Sequence, residues 1–336
     1  MPPLNHWSIC FYCDGEVVEK HSIHPRYDVF LYLLKNHFGT AKTMSIVYEA
    51  GFSGFWLYRK LTADGYKCMV TPPNRIPTQR DKIKTDRRDA EKLARYLAAG
   101  ILKTVFVPPP ETESHRRLLR RRSRLVRKQT QIKNQIKSFL NLYGLTKPDS
   151  IRTYWSKAYM QWLKDLRFEQ ECDNFILNGL LRNCTQVREE LAELTRYIRR
   201  LAFSTQYHDS FKRLTALRGV GLVTAMTFLL ELFNISRFTN TSRFSSYLGM
   251  TPSQHSSGEH IHLGAISHQG NSYLRHVLVE SAWTVIKHDP HLREKYNRIR
   301  AKGTNGNKAI VAVARSLAVR LRRCLLDGVD YQTTVA

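Results

Sequence analysis

The chain has 336 residues, 42% of them hydrophobic, enough for more than one packed core and too many for a disordered tail. Lys and Arg total 53 against 28 Asp and Glu, a net charge of +25 that is the footprint of a polyanion partner, with nucleic acid first. No apolar stretch approaches the roughly 20 residues that cross a bilayer, and no charged start followed by an apolar run marks a signal peptide, so no membrane partner is expected.

Residues 6–108 have an α/β pattern. Trp7 to Tyr12 is a strand, Asp14-Gly15 a hairpin turn, and Glu16 to Ile23 the partner strand. Cys10 and Cys13 have CxxC spacing, but no second pair accompanies them, and strand positions three apart face opposite sides. The six cysteines are scattered, which fits a reducing cytoplasm. Tyr27 to His37 predicts a helix, Met44 to Tyr48 a strand, Gly54 to Ala63 a helix and Tyr66 to Val70 a strand. Pro72, Pro73 and Pro77 mark a loop. Thr85 can cap a helix running to about Ala98. Thr104 to Val107 is a last short strand, and Pro108-Pro109-Pro110 is a stiff break.

Residues 112–145 form one long helix by pattern, with Leu118, Leu125, Ile132 and Phe139 repeating every seven. A second helix carries Leu180, Cys184, Val187, Leu191, Leu194, Ile198 and Leu201, and such seams predict a coiled coil. Trp155 to Leu166 is a short helix between them. Residues 206–330 are mostly helical, strongest at Tyr273–Ile286 and Lys308–Leu326, with an irregular interruption at 249–270. Three domains follow: 1–110, 111–205 and 206–330.

Four constellations carry chemistry. Glu49 ends a strand beside Gly51 and Gly54, which let the backbone turn sharply. Asp86 and Asp89 lie three apart on one helix face. Carboxylates at strand ends and helix starts are the donors Mg²⁺ accepts, and two ions about 4 Å apart can clamp a phosphodiester. The plainer reading is helix capping, which suffices for Asp86 alone.

The segment Gly249-Met-Thr-Pro-Ser-Gln-His-Ser-Ser-Gly258 leads from a helix to a hairpin expected over His260–Ile266. A serine before a glycine on an exposed turn can present its hydroxyl, although Ser-Gly is also ordinary loop chemistry. His255, His260, His262 and His268 nearby are phosphate binders or bases, or else solvated loop residues. Gly219 and Gly221, between two apolar helices, resemble a helix-hairpin-helix turn offering N–H groups to a phosphate, or a tight turn alone. Finally, Arg116, Arg117, Arg120, Arg121, Arg122, Arg124, Arg127 and Lys128 crowd one helix with almost no neutralising acid, which points to a phosphate backbone.

In order, Glu49-Ala-Gly, Lys84-Thr-Asp-Arg-Arg-Asp-Ala90, Leu217-Arg-Gly-Val-Gly221, Gly249-Met-Thr-Pro252, Ser257-Gly258 and Gly270-Asn-Ser-Tyr-Leu-Arg275 resemble the DEDD transposases of the insertion-sequence-110 family, along nearly the whole chain. The resemblance implies an RNase H-like (RuvC-like) N-terminal domain, a helical coiled-coil middle and a mostly helical C-terminal transposase domain. It implies Glu49, Asp86 and Asp89 as three of four metal-binding acids for two Mg²⁺ ions, and Ser257 as nucleophile, with Ser256 the less favoured alternative. It also implies donor and target DNA, a noncoding guide RNA (the bridge RNA), a homo-oligomer and a cytoplasmic, nucleoid-associated setting. In the family the first acid stands on a strand preceding the one matched by Trp7–Tyr12, so that strand and its aspartate would fall before Met1, through a late start or a truncated copy. Two rivals remain. A Holliday-junction nuclease would use carboxylates and water, leaving Ser257 dispensable. A nucleic-acid-binding remnant would bind with salt sensitivity and not cleave.

Overall fold

The computed structural model describes residues 6–37, 43–51, 53–77, 85–257, 260–266 and 269–331. The chain divides into two compact units, Met1–Pro108 and Pro109–Ala336, at the expected proline break.

In the first unit, β1 (Trp7–Cys13) and β2 (Glu16–Ile23) form an antiparallel hairpin. Asp14 and Gly15 take φ of +50° and +91°, the left-handed turn whose twist matches paired strands. After α1 (Tyr27–His37), β3 (Ser45–Glu49) pairs in parallel with β4 (Lys67–Thr71), joined by α2 (Trp56–Ala63). Among the described residues the two sheets are separately two-stranded. They share one core: Trp7, Ile9 and Phe11 from one, with Ile46, Tyr48 and Cys68 from the other, pack on Phe30, Leu34, Leu57, Leu61 and Tyr66. α3 (Asp86–Ala98) lies against β1 and β3. A Lys20–Glu91 ion pair of 2.6 Å ties it to the hairpin.

The segment Thr104–Val107 is not a strand. It makes one bond to the sheet, Val105 N to Val70 O at 2.7 Å, and Thr71 Oγ1 donates to Lys103 O at 3.0 Å. The prolines that follow have no N–H with which to extend a ladder.

In the second unit, α4 (Pro110–Leu142) and α6 (Glu171–Ala202) pack side by side, with α5 (Lys157–Asp165) against one end. Arg121 meets Glu190 at 2.9 Å while Tyr143 meets Phe168, so the two helices run antiparallel. Leu125, Ile132 and Phe139 are buried at their seven-residue spacing, whereas Leu119 is buried and Leu118 only half-buried. The seam shifts there because α4 crosses from one core into another. Leu125 to Leu140 pack with Leu177, Leu181, Cys184, Val187 and α5, while Leu119 joins Ile198 and Ala202 in the core of the last helices. Residues of 111–205 and of 206–330 thus share a core within one unit.

That core is built from α7 (His208–Thr215), α8 (Leu222–Leu232), α9 (Thr241–Leu248), α10 (Ser272–Val285), α11 (Pro290–Ala301) and α12 (Gly306–Asp327). α8 is buried on nearly every side, as a run free of charge until Glu231 requires. Asn240, Asn271, Asp289 and Asn305 start α9, α10, α11 and α12 by accepting backbone N–H bonds on their side chains. Between α9 and α10 stands an antiparallel pair, β5 (Pro252–Ser257) and β6 (His260–Ile266). Among the described residues no helix is long and apolar enough to cross a membrane.

Candidate functional site

Glu49 closes β3 and is exposed. Pairing continues one residue further, Ala50 N to Thr71 O at 2.8 Å, and Gly54 N then bonds Gly51 O at 3.2 Å with Gly54 at φ +61°. The chain therefore turns sharply just past the carboxylate. Asp86 and Asp89 occupy the first turn of α3, where the helix dipole favours a negative charge. The cap itself is Thr85, whose oxygen accepts from Arg88 N at 3.4 Å, so capping leaves the Asp86 carboxylate unused. α3 packs on β3, and all three acids come from touching elements of one unit. Yet among the described residues no three His, Cys, Asp or Glu side chains are grouped to hold a metal ion. The three acids do not make a metal centre by themselves.

The thiols are no substitute. Burial pushes the Cys10 thiol up, and a hydrogen bond to Asp14 raises that of Cys13. Burial pushes Cys68 up to about 12. Each shift disfavours the thiolate that a metal or redox role needs.

The basic helix divides into two faces. Arg116 and Arg120 turn inward onto Glu231, which is 1% exposed. Arg120 reaches it with Nε and a terminal nitrogen at 2.7 and 2.8 Å, and its guanidinium lies 5.1 Å from the Tyr273 ring. Arg116 Nε donates to Leu230 O at 3.0 Å and stands 3.6 Å from Glu231. Burial opposes the charge on both. It lowers Arg116, whereas the bonds from Arg120 to Glu231 outweigh burial and raise Arg120. Arg117, Arg121, Arg124, Arg127 and Lys128 are exposed. Arg117 and Arg121 meet Glu113 and Glu190 at 4.0 and 2.9 Å, as exposed pairs worth little. Past Arg127, Thr130, Gln131, Asn134, Gln135 and Ser138 line an open groove with it, and none carries a negative charge. The helical pattern marked a basic stripe but could not reveal that Arg116 and Arg120 have a partner 115 and 111 residues away.

Ser257 lies at the closed end of the β5–β6 hairpin, paired with His260. It belongs to the first strand of that hairpin rather than to a turn ahead of it. The polar run Pro252–Ser257 has no alternating apolar face, so only its partner strand identifies it as a strand. The side chains of residues 254–263, among them Ser256, Ser257, His255, His260 and His262, lie outside the described ones, as do Gly258 and His268 entirely.

Gly219 has φ +106°, and a Cβ there would stand 2.8 Å from Val285 Cγ2 and 3.0 Å from Val285 N. Close packing on the end of α10 accounts for it. Gly221 precedes α8 with open space beside it, which leaves the first turn of α8 approachable.

The sequence pattern of a DEDD transposase family of the IS110 type matches residues 4–144, and that of the Transposase IS116/IS110/IS902 family matches residues 211–297. The chain is 31% identical over 297 residues to protein y4qE of Sinorhizobium fredii, covering 81% of this chain and 72% of that one. It is 30% identical over 293 residues to the transposase for insertion sequence element IS1533 of Leptospira borgpetersenii, covering 82% and 79%. Identity to the transposase for insertion sequence element IS1111A of Coxiella burnetii is 25% over 283 residues, covering 82% and 76%.

Proposed function

The chain belongs to the IS116/IS110/IS902 transposase family, and from that premise we propose that it cuts and exchanges the DNA strands of an insertion sequence through a phosphoserine intermediate at Ser257. The observation that carries this reading is the position of Ser257 at the closed end of a two-stranded arm, within the ordered motifs of the family. The seryl oxygen attacks phosphorus, an O–P bond forms, and the bond to the 3′ oxygen breaks. The proton lost by the serine is balanced by one taken up on the leaving 3′ hydroxyl. A 3′ hydroxyl from the exchanged strand reverses the step and frees the serine.

Arg117, Arg121, Arg124, Arg127 and Lys128 are the residues proposed to hold phosphates, because they face solvent on a helix of a +25 chain. Gly221, at the open start of α8, is a further phosphate contact, with Gly219 shaping the turn. Donor and target DNA, a noncoding guide RNA and further copies of the chain, in the cytoplasm, are the partners of this reading. Glu49, Asp86 and Asp89 are the acids it assigns to the reaction. The DEDD family generally uses a divalent metal, and oxygen donors of this kind suit Mg²⁺. The grouping such ions need is not met by these three acids alone among the described residues.

The test is adduct formation on a DNA substrate, read on a denaturing gel. The unaltered chain is expected to form a covalent protein–DNA species that Ser257→Ala does not. An undiminished adduct in Ser257→Ala would overturn the nucleophile assignment. Cleavage with no adduct would favour hydrolysis by carboxylates and water. Salt-sensitive binding with no cleavage would favour a binding protein alone.

A further inference from the structure

The ends of the serine arm meet in a neck. Gly249 ends α9 at φ +67°, and Gly270 lies directly against it. A Cβ on Gly270 would stand 2.3 Å from Gly249 N, 2.6 Å from Gly249 Cα and 2.6 Å from Tyr247 O. A Cβ on Gly249 would stand 2.5 Å from an Arg275 guanidinium nitrogen and 3.0 Å from Gly270 N. Such distances are possible only for two bare backbones. Asn271 N donates to Tyr247 O at 2.9 Å and Arg275 to Leu248 O at 3.3 Å, closing the neck on both sides.

The neck is tied to the interior through one side chain. Asn271 Oδ1 accepts from Tyr273 N and Leu274 N, each at 3.1 Å, and starts α10. Its Nδ2 donates to Glu231 Oε2 at 2.8 Å. Glu231 is the carboxylate held by Arg116 and Arg120, and Tyr247 Oη donates to its backbone oxygen at 3.1 Å. One buried carboxylate therefore joins α4, α8, α9 and the first residue beyond the neck. Cohesion does not require it. Phe228, Phe244, Leu248 and Leu274, all fully buried, already hold α8, α9 and α10 together. A buried ion pair is also a poor source of net stability compared with apolar packing of the same volume.

We infer that the Gly249–Gly270 neck and the Glu231–Asn271 link aim the serine arm, making Glu231, Asn271 and Gly270 positioning residues for strand cleavage. The inference rests on the assignment of Ser257 as nucleophile. Leverage supplies the physical reason. Ser257 is five residues along the strand from Pro252, about 17 Å from the base of the arm, so a tilt of about 5° at the neck moves the serine by about 1.5 Å. A register shift between Pro252 and Gln254 lies at the base itself, where Gly264 leaves room for Ser253: a Cβ on Gly264 would stand 2.4 Å from Ser253 Oγ. Bulges of this kind re-aim the residues beyond them. Misplacing a reacting group by about 1 Å can cost about 100-fold in rate. Meanwhile α4 turns Arg116 and Arg120 toward the neck and Arg117, Arg121 and Arg124 toward solvent, so one helix carries both the proposed phosphate contacts and the neck's anchor.

The test uses the full chain with Gly270→Ala and Asn271→Ser. Serine keeps the α10 cap but is too short to reach Glu231. Four quantities are read: melting midpoint, salt-dependent binding to a DNA duplex, hydrogen exchange of the amides of residues 252–266, and the single-turnover rate of adduct formation. Adduct formation is expected to slow about 100-fold. Melting and duplex binding should stay as they are, with altered exchange confined to the arm. An unchanged rate overturns the inference, as does a melting midpoint that falls in step with the rate. If Gly270→Ala does not fold, Asn271→Ser carries the test. Ser257→Ala in parallel separates the two readings. Should it retain the adduct, the nucleophile assignment fails, and altered exchange confined to the arm in Asn271→Ser still supports the neck while unaltered exchange overturns it.

Discussion

The acids of the two units live in opposite surroundings. Glu49 and Asp86 are exposed at the ends of a strand and a helix, and nothing described surrounds them with ligands. Glu231 and Asp289, at 1% and 0% exposure, are held by arginines, an asparagine, a tyrosine and a backbone amide. In a chain of +25 net charge, an acid on the surface costs little to keep and stays available to a cation or a phosphate's counterion. An acid in the core is retained only where its oxygens are satisfied, and it then holds helices in place. Acids of one residue type thus divide into candidates for chemistry and candidates for construction, and burial with partners is what separates them.

The sharpest way to break that division is to neutralise both sets. Glu49→Gln, Asp86→Asn and Asp89→Asn should each lower strand cleavage by on the order of 100-fold, the scale of a lost electrostatic contact in a transition state. Unfolding free energy should move by less than about 0.5 kcal/mol, as for surface changes. Chelation followed by Mg²⁺ should abolish and restore the cleavage. Full activity in all three variants would assign these acids to the helix dipole and the surface.

Glu231→Ala should do the reverse and destabilise the chain by about 3 kcal/mol in urea unfolding, because two arginines are left facing an empty carboxylate site. A loss below about 1 kcal/mol, the range of an exposed pair, would show that water reaches the site.

The Asp289 cluster adds a pH signature. Tyr331 Oη donates to Asp289, and Arg320 bonds both at 2.9 and 2.8 Å. Burial, then the bond to Asp289, raises the Tyr331 pKa above its ordinary value of 10.0. The folded state thus holds this proton more tightly than the unfolded state. Its contribution is complete below pH about 10 and declines as pH rises through the folded value. Melting should therefore fall more steeply between pH 9.5 and 11, flagged as roughly the range about that ordinary value, than in Tyr331→Phe. Identical slopes would remove Tyr331 from the account.

The smallest effect compares neighbours on α4. Arg124→Gln should weaken binding to a DNA duplex and reduce its salt slope by about 1, without changing stability. Arg120→Gln should lower stability and leave that slope alone. Equal slopes in the two variants would erase the distinction between the faces of α4.

Local elements were legible because local rules govern them. Asp14-Gly15 can adopt two left-handed residues, Thr85 can cap, and Leu125, Ile132 and Phe139 repeat at the interval of a buried seam. Thr104–Val107 misled because its alternation is that of a strand, and only the position of β4 and the following prolines limits it to one bond. The motif Glu49-Ala-Gly, the Thr85–Ala90 segment and Gly249-Met-Thr-Pro252 mark the family by order and spacing, which are properties of the chain itself. Glu231 carried no such mark. It is one acid in an apolar helix, with arginine partners 115 and 111 residues away and its asparagine 40 residues on.

The serine arm shows the same boundary. Residue order by itself determined that a serine precedes a glycine between two helices, that Gly249 and Gly270 bracket it, and that the chain carries a basic helix elsewhere. Tertiary structure alone decided that those two glycines touch, that Ser257 lies at the far end of a paired strand, and that Arg116 and Arg120 turn away from solvent to Glu231. The reason is range. Turn, cap and helix preferences act over a few residues and are written in the adjacent side chains, whereas a neck between positions 249 and 270, or a buried ion pair across the chain, exists only once packing has brought distant backbone together.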